Sequence, residues 1–258
     1  MRMKPDTKQI RTFLINFLKE QVHKTGLEKV VIGLSGGVDS AVSAFLAVEA
    51  LGKKNVLAIV LPYKTSSPQS LVDAKQIIDM TGIPNLSINI TPMVDDFQKI
   101  DSQMDQLRLG NVMARVRMII LYDFSAKEKA LVVGTSNKTE ILLGYATIYG
   151  DTACAINPLG DLYKTQVWKL AKELGVPENI INKKPTADLW EGQTDEGELG
   201  FLYQDVDKLF FEMIDNARSD TELFDLGFDK NFVLSVRTRI RSNEFKRRLP
   251  AIAILLKL

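Results

Sequence analysis

The sequence has one cysteine, Cys154, and one histidine, His23, in 258 residues. A lone thiol closes no intrachain disulfide and supplies no cysteine cluster for zinc or iron–sulfur, so the fold has to rest on its apolar core. A lone histidine near the N-terminus leaves little from which to build a serine or cysteine nucleophile. Charge of one sign is lacking as well. Against 33 Lys+Arg stand 32 Asp+Glu, a net +1 that draws the chain as a whole toward neither nucleic acid nor membrane. No run of about 18 apolar residues is present to span a bilayer. Residues 1–13 lack the apolar core of a signal peptide, so a cytoplasmic protein is expected.

What is there is ordinary globular composition, 45% hydrophobic and 25% charged. A chain of this length buries about 70–75% of its unfolded surface. One domain over residues 1–258 is expected, since α/β folds of about 250 residues are commonly undivided. Ile10, Phe13, Leu14, Phe17 and Leu18 recur at helical spacing in the first 24 residues, with Gly26 as the stop. Val30 to Leu34 is a short β-branched run suited to a strand buried on both faces. Val38 to Leu51 reads as a helix and Val56 to Leu61 as a second buried strand. Ser67-Pro68 opens a helix whose core face is Leu71, Ala74, Ile77 and Ile78, closed by Gly82. Leu86 to Ile90 reads as strand, Asn111 to Lys129 as helix, and Ala130 to Val133 as another buried strand. This alternation predicts an α/β fold: a doubly wound parallel sheet with helices on both faces. Beyond Gly160 the strand signal fades and a helical C-terminal part is predicted. Charge is uneven there. Asp188 to Asp225 holds twelve acids and two bases, and Arg237 to Lys257 seven bases and one acid. The plainest reading of both is solvated helix faces, and it is favoured for the acidic stretch.

Ser35-Gly36-Gly37-Val38-Asp39-Ser40 falls between the first strand and the next helix, at the carboxyl end of a parallel strand, where α/β sheets bind ligands. Adjacent glycines let backbone N–H groups turn toward one point. The following helix adds unpaired N–H groups and the positive end of its dipole, and Ser35 and Ser40 add hydroxyls. All of this suits an anion. Asp39 suits one only if a cation shares the site, which points to Mg²⁺ carried by a polyphosphate. Neither GxxxxGK(S/T) nor GxGxxG occurs, so the kinase-type and dinucleotide fingerprints are absent. Gly33 to Gly37 satisfies the GxSxG of a nucleophile elbow, but that class needs a histidine after the serine, and His23 precedes it. The hydrolase reading is excluded.

The stretch Ser35 to Ser40 resembles the pyrophosphate loop of the N-type ATP pyrophosphatases, enzymes with a doubly wound α/β core that split ATP between its α- and β-phosphates. Gly110-Asn111-Val112-Met113-Ala114-Arg115-Val116-Arg117-Met118 looks like the GNxxARxRM helix of one branch, the NAD synthetases. Val133-Gly134-Thr135 with Glu140, Tyr149-Gly150-Asp151, Asn157-Pro158-Leu159 through Tyr163-Lys164, and Pro185 to Leu189 follow in the family's order. Lys246-Arg247-Arg248 with Pro250 falls at its basic tail. The resemblance covers nearly the whole chain.

It implies ATP-dependent amidation of nicotinic acid adenine dinucleotide (deamido-NAD) by ammonia, through an acyl adenylate, with release of pyrophosphate and AMP. It implies that Gly33, Leu34, Ser35, Gly36, Gly37, Val38, Asp39 and Ser40 hold ATP, together with Thr135, Lys164 and Thr186. Asp39 and Glu140 would bind Mg²⁺, and Arg115, Asp151 and Lys246 would contact deamido-NAD. Asp39 and Lys164 are the expected catalytic pair, the lysine meeting charge that develops at the α-phosphate. Many members carry lysine where this chain has Ile148, aspartate where it has Ala155 and histidine where it has Phe245. Glutamine-using members resemble a fusion with a glutaminase, for which a loop at residue 35 leaves no room, so ammonia is the expected nitrogen source. A homodimer is expected from the family, and Ile252, Ile254, Leu255, Leu256 and Leu258 suit burial at its interface or, equally, docking on their own subunit. The expected partners are small-molecule substrates, without nucleic acid or membrane. Two other readings share the loop. One is an ATP pyrophosphatase that adenylates another acceptor, such as a tRNA-modifying enzyme, for which the Arg237–Lys257 run is the only basic surface. The other is a nucleotide sensor without catalysis, which has no need of paired Asp39 and Glu140.

Overall fold

Each buried run becomes a strand and each amphipathic run a helix. The computed structural model describes residues 6–190 and 192–253. The first helix, Thr7–Lys24 (α1), starts at Asp6, whose side chain and that of Gln9 cap each other's backbone N–H. Lys29–Gly33 (β1) leads through the glycine loop into Val38–Leu51 (α2). Val56–Val60 (β2), Pro68–Thr81 (α3), Asn85–Ser87 (β3) and Thr91–Gln98 (α4) follow. The long helix Gln106–Glu128 (α5) returns to Ala130–Val133 (β4) and the short Lys138–Leu143 (α6). Then come Lys164–Leu174 (α7), Glu178–Ile181 (α8), Asp195–Leu199 (α9) and Tyr203–Phe210 (α10). Asp220–Asp225 (α11) and Lys230–Ser242 (α12) complete the helical C-terminal part.

The strands form one parallel four-stranded sheet in the order β3-β2-β1-β4. Val31 lies between Leu57 and Val132 in register. From β1 the chain winds outward through β2 and β3, then crosses to the other side of β1 for β4. That reversal opens a crevice between the carboxyl ends of β1 and β4. Val30 and Ile32 of β1 point into a core shared with α1, α2 and α7, while Val31 points into a second core with α4 and α5. All three side chains are fully buried, which is why β1 reads as an unbroken apolar run. A third core, built on Tyr203, Phe210, Leu223, Val233 and Val236, gathers α6, α10, α11 and α12.

Several expectations shift. Phe13 is 67% exposed, and α1 buries Leu14, Leu18 and Val22 instead. The expected strand from Leu86 keeps only Asn85–Ser87, and its end, Ile90, heads α4. The inward face of α3 is Ser70, Asp73, Ala74 and Ile77, with Leu71 exposed. Apolar periodicity misplaces that face because two polar residues on it find partners across the structure. The acidic stretch is not all solvated either, since Asp195 and Asp207 are both buried. Asp207 accepts from Thr139 Oγ1 at 2.5 Å and Thr165 N at 2.8 Å, bonds that offset its desolvation. Ile252 is exposed, and Ile254, Leu255, Leu256 and Leu258 lie outside the described residues.

Leu46, wholly buried in α2 between α1 and α7, should lose about 2–5 kcal/mol of stability on truncation to alanine. Phe13→Ser on the exposed face of α1 should stay within about 0.5 kcal/mol of the native value. Urea unfolding of the two variants measures both.

Candidate active site

The glycine loop sits at the mouth of the crevice. Gly36 has φ +78°, and a Cβ there would lie 2.2 Å from the carbonyl oxygen of Ser70. Both the left-handed backbone and the close approach to α3 demand glycine. Gly37 is different: at φ −90° it is the N-cap of α2. Only the first of the two glycines is therefore required by conformation. Ser40 Oγ donates to Gly37 O at 2.9 Å and accepts from Ser35 N, while Ser35 Oγ accepts from Gly37 N at 3.2 Å. The two hydroxyls fold the loop onto itself at the positive end of α2.

Three helix starts meet beside it. Asp39 lies in the first turn of α2, Glu140 in the first turn of α6, and Lys164 opens α7. The Lys164 side chain is 3% exposed, with Nζ 2.5 Å from Asp39 Oδ2 and 3.2 Å from Glu140 Oε1. Asn137 organises the carboxylates. Its side chain and Glu140 cap α6 reciprocally, and its Nδ2 also donates to Asp39 Oδ1 at 3.0 Å. Burial pushes the Glu140 carboxyl up, Lys164 pulls it back in part, and Asp39 adds to the rise. Burial also works against the charge of Lys164, but Asp39 and Glu140 overcome it and hold the ammonium above the ordinary lysine range. Asp195 stands on the far side, accepting from Tyr203 Oη at 3.0 Å and Tyr145 Oη at 3.2 Å, and burial raises its carboxyl too.

The crevice holds a cavity of about 310 Å³ that runs from Ile59–Pro62 at the end of β2, past the loop, to Asp151 and Asp195. Residues 183–189 form a strap along its rim. Asp188 accepts from Ser67 N at 3.0 Å, and Thr65 Oγ1 donates to Leu189 O at 3.3 Å. Leu189 occupies the notch left by Gly110, where a Cβ would stand 2.9 Å from Leu189 Cδ1. This is a physical reason for glycine at the head of the GNxxARxRM stretch.

Gly33, Leu34, Ser35, Gly37, Val38, Asp39, Ser40, Thr135, Glu140, Asp151, Lys164 and Thr186 all line this cavity. Gly36 backs the loop against α3. Arg115 and Lys246 are not among the lining residues. Arg115 is exposed and donates to Ile148 O at 3.3 Å, and Lys246 Nζ donates to Gly144 O and Ala146 O at 2.8 and 2.9 Å. Lining residues that the sequence reading passed over are Arg117, which donates to Leu61 O, and Tyr145, Lys183 and Asp195. Lys183 stands three residues before Thr186, just ahead of the matched stretch Pro185 to Leu189, and that proximity was the available signal. Asp195 carried none, being one acid among many.

A parallel sheet with a glycine anion loop at its switch point, facing a paired carboxylate and lysine, defines a nucleotide-binding α/β protein of the ATP pyrophosphatase kind. The NAD synthase family model matches residues 10–250, and the chain belongs to that family. It is 51% identical to the NH3-dependent NAD⁺ synthetase of Trichlorobacter lovleyi over 98% of this chain and 92% of the relative. Identity to the Fusobacterium nucleatum enzyme of the same name is 50%, over 95% of each chain. Among solved structures, an NMN synthetase from Francisella tularensis superposes with a TM-score of 0.87 at 35% identity, covering 97% of this chain and 99% of that one. An NH3-dependent NAD synthetase from Campylobacter jejuni gives 0.84 at 37%, covering 97% and 100%.

Removing the ammonium should expose how much the two carboxylates depend on it. Lys164→Met should cost about 3–5 kcal/mol in urea unfolding without nucleotide, because Asp39 and Glu140 remain buried and uncompensated. Adding Asp39→Asn should recover part of that loss.

Proposed function

We propose that the chain catalyses ATP-dependent amidation of deamido-NAD with ammonia as the nitrogen donor, working as one catalytic unit. The observation that carries this reading is the meeting of the glycine loop with Asp39, Glu140 and Lys164 in one crevice of a NAD synthase family member. The relatives named NH3-dependent match over nearly their whole length, which supports ammonia. Oxygen of the nicotinate carboxylate attacks the α-phosphorus of ATP, and the bond to the β-phosphate breaks to release pyrophosphate. Ammonia then attacks the acyl carbon, AMP leaves, and one proton is lost to give the amide.

The loop from Gly33 to Ser40 holds the polyphosphate through backbone N–H groups and the α2 dipole. Thr135 and Thr186 contact ATP from opposite walls. Lys164 opposes charge that builds at the α-phosphate, a preorganised contribution in a water-poor site. Asp151, on the cavity wall, takes the acceptor. Arg115 and Lys246 reach its outlying half, and a second copy in a homodimer covers that end.

Mg²⁺ fits the donors present. Among the described residues no cluster of three acids, histidines or cysteines is set to hold a metal by itself. Asp39, Glu140 and Asp195 nevertheless gather around a single lysine, and the carboxyls that burial holds up there can ionise when a divalent cation arrives to balance them. Two carboxylates plus phosphate oxygens are what Mg²⁺ accepts, and when bound it supplies charge neutralisation on the polyphosphate. Small-molecule substrates alone are proposed, in the cytoplasm. Among the described residues no helix is long and apolar enough to cross a membrane.

Two outcomes are expected. With Mg-ATP, deamido-NAD and ammonium, the purified protein should form NAD⁺ and AMP in equal amounts, and Asp39→Ala should lower kcat by about 100-fold or more. Nicotinic acid mononucleotide belongs beside the dinucleotide in this assay, given the name of the Francisella neighbour. Turnover with neither acceptor by folded, ATP-binding protein would falsify the reading. Mg-ATP binding should also release protons, because the raised Glu140 carboxyl must ionise to bind the metal. Its affinity should therefore climb as pH rises out of the ordinary carboxylate range, and calorimetry in buffers of different ionisation enthalpy measures the release.

A further inference from the structure

The cavity is lined by four basic side chains, Arg117, Lys164, Lys183 and Lys184. Lys164 is engaged by Asp39 and Glu140, and Arg117 lies at the β2 end, bonded to Leu61 O. Lys184 is exposed. Lys183 differs from all three. Its Nζ is held 2.9 Å from Asp73 Oδ2 and 3.1 Å from Ser70 Oγ, which takes two of its three N–H groups.

Asp73 is built for that purpose. Its side chain is 2% exposed, and it also accepts from Gln69 Nε2 at 2.8 Å and Asn179 Nδ2 at 3.1 Å. A carboxylate so deeply buried requires its cation, so the position of Lys183 is fixed rather than fluctuating. The place where it is fixed is decisive. Ser70 and Asp73 are the residues against which Gly36 packs, since a Cβ on Gly36 would meet Ser70 O at 2.2 Å and Asp73 Cβ at 3.1 Å. The ammonium is thus anchored to α3 where it backs the glycine loop, apart from the carboxylates that hold Lys164, and its side chain lines the same cavity.

We infer that Lys183 is a second lysine of the reaction, one that contacts the pyrophosphate as it leaves, with Asp73 as the residue that positions it. The inference rests on the cavity being the ATP site. When the bond to the α-phosphorus breaks, negative charge moves onto the departing oxygen. The loop N–H groups are neutral donors, and Lys164 is shared by two carboxylates. Lys183 supplies the charge-assisted bond on the departing side, at an atom already in place before ATP arrives. A lysine that merely clipped the strap to α3 would have no such effect on pyrophosphate.

Calorimetric titration with magnesium pyrophosphate separates the two roles without needing turnover. Lys183→Met should weaken pyrophosphate binding by about 10- to 100-fold and raise the KM for ATP, leaving the KM for deamido-NAD within about twofold. Because that variant strands Asp73, the double variant Lys183→Met with Asp73→Asn removes both charges and keeps the fold, and it should lose the same affinity. Asp73→Asn alone should show a smaller loss. Native pyrophosphate affinity in the folded double variant overturns the inference, even where the native protein makes NAD⁺. Loss of affinity in a protein whose native form makes no NAD⁺ supports Lys183 and sinks the assigned reaction instead.

Discussion

One buried ammonium ties the molecule together. Lys164 opens α7, where the helix dipole disfavours a cation, and it lies almost entirely out of water. Two carboxylates make that position tenable. Each sits in the first turn of another helix, where the dipole favours it. Three helix starts from distant parts of the chain are thereby fixed around one charge. Thr139 Oγ1 reinforces the meeting by accepting from Lys164 N at 3.0 Å while donating to Asp207. The crevice owes its shape to this convergence as much as to the sheet order.

The fold was largely legible because it is written in periodicity. The strands β1, β2 and β4 are short, apolar and β-branched, and each is followed by a turn and a helix, a pattern with few solutions. The loop at Ser35–Ser40 was legible for the same reason: its chemistry is local, carried by consecutive residues at a strand end. What sequence could not show was pairing across space. Ser70 and Asp73 look like a solvent face until Lys183 and Asn179 arrive from more than a hundred residues away. Asp195 becomes part of the crevice only because Tyr145 and Tyr203 reach it. Polar residues inside a core carry no periodic signal, since their burial depends on partners whose approach is set by the tertiary fold.

The two ends of the cavity are finished to different degrees. At the loop, hydrogen-bonding groups are interlocked, and most residues implied by the family pattern are already together. At the other end, Arg115 and Lys246 rest on backbone carbonyls, and Ile148, Ala155 and Phe245 offer no charge. The loop end is preorganised within one chain, whereas the other end presents backbone carbonyls and exposed surface.

The strap over the rim is anchored at its start by Lys183 on Asp73 and Ser70, and beyond that by Asp188 on Ser67, Thr65 on Leu189 and one leucine in the notch at Gly110. None of these fastenings belongs to the sheet ladder, and only Leu189 among them packs against a core, the one shared by β1, α4 and α5. Swinging the strap aside beyond Lys183 exposes one leucine to water and exchanges a few rim hydrogen bonds for solvent, at a small fraction of the free energy of global unfolding. Opening of the crevice is therefore uncoupled from the integrity of the fold. The door can work on its own hinge while the walls stay closed.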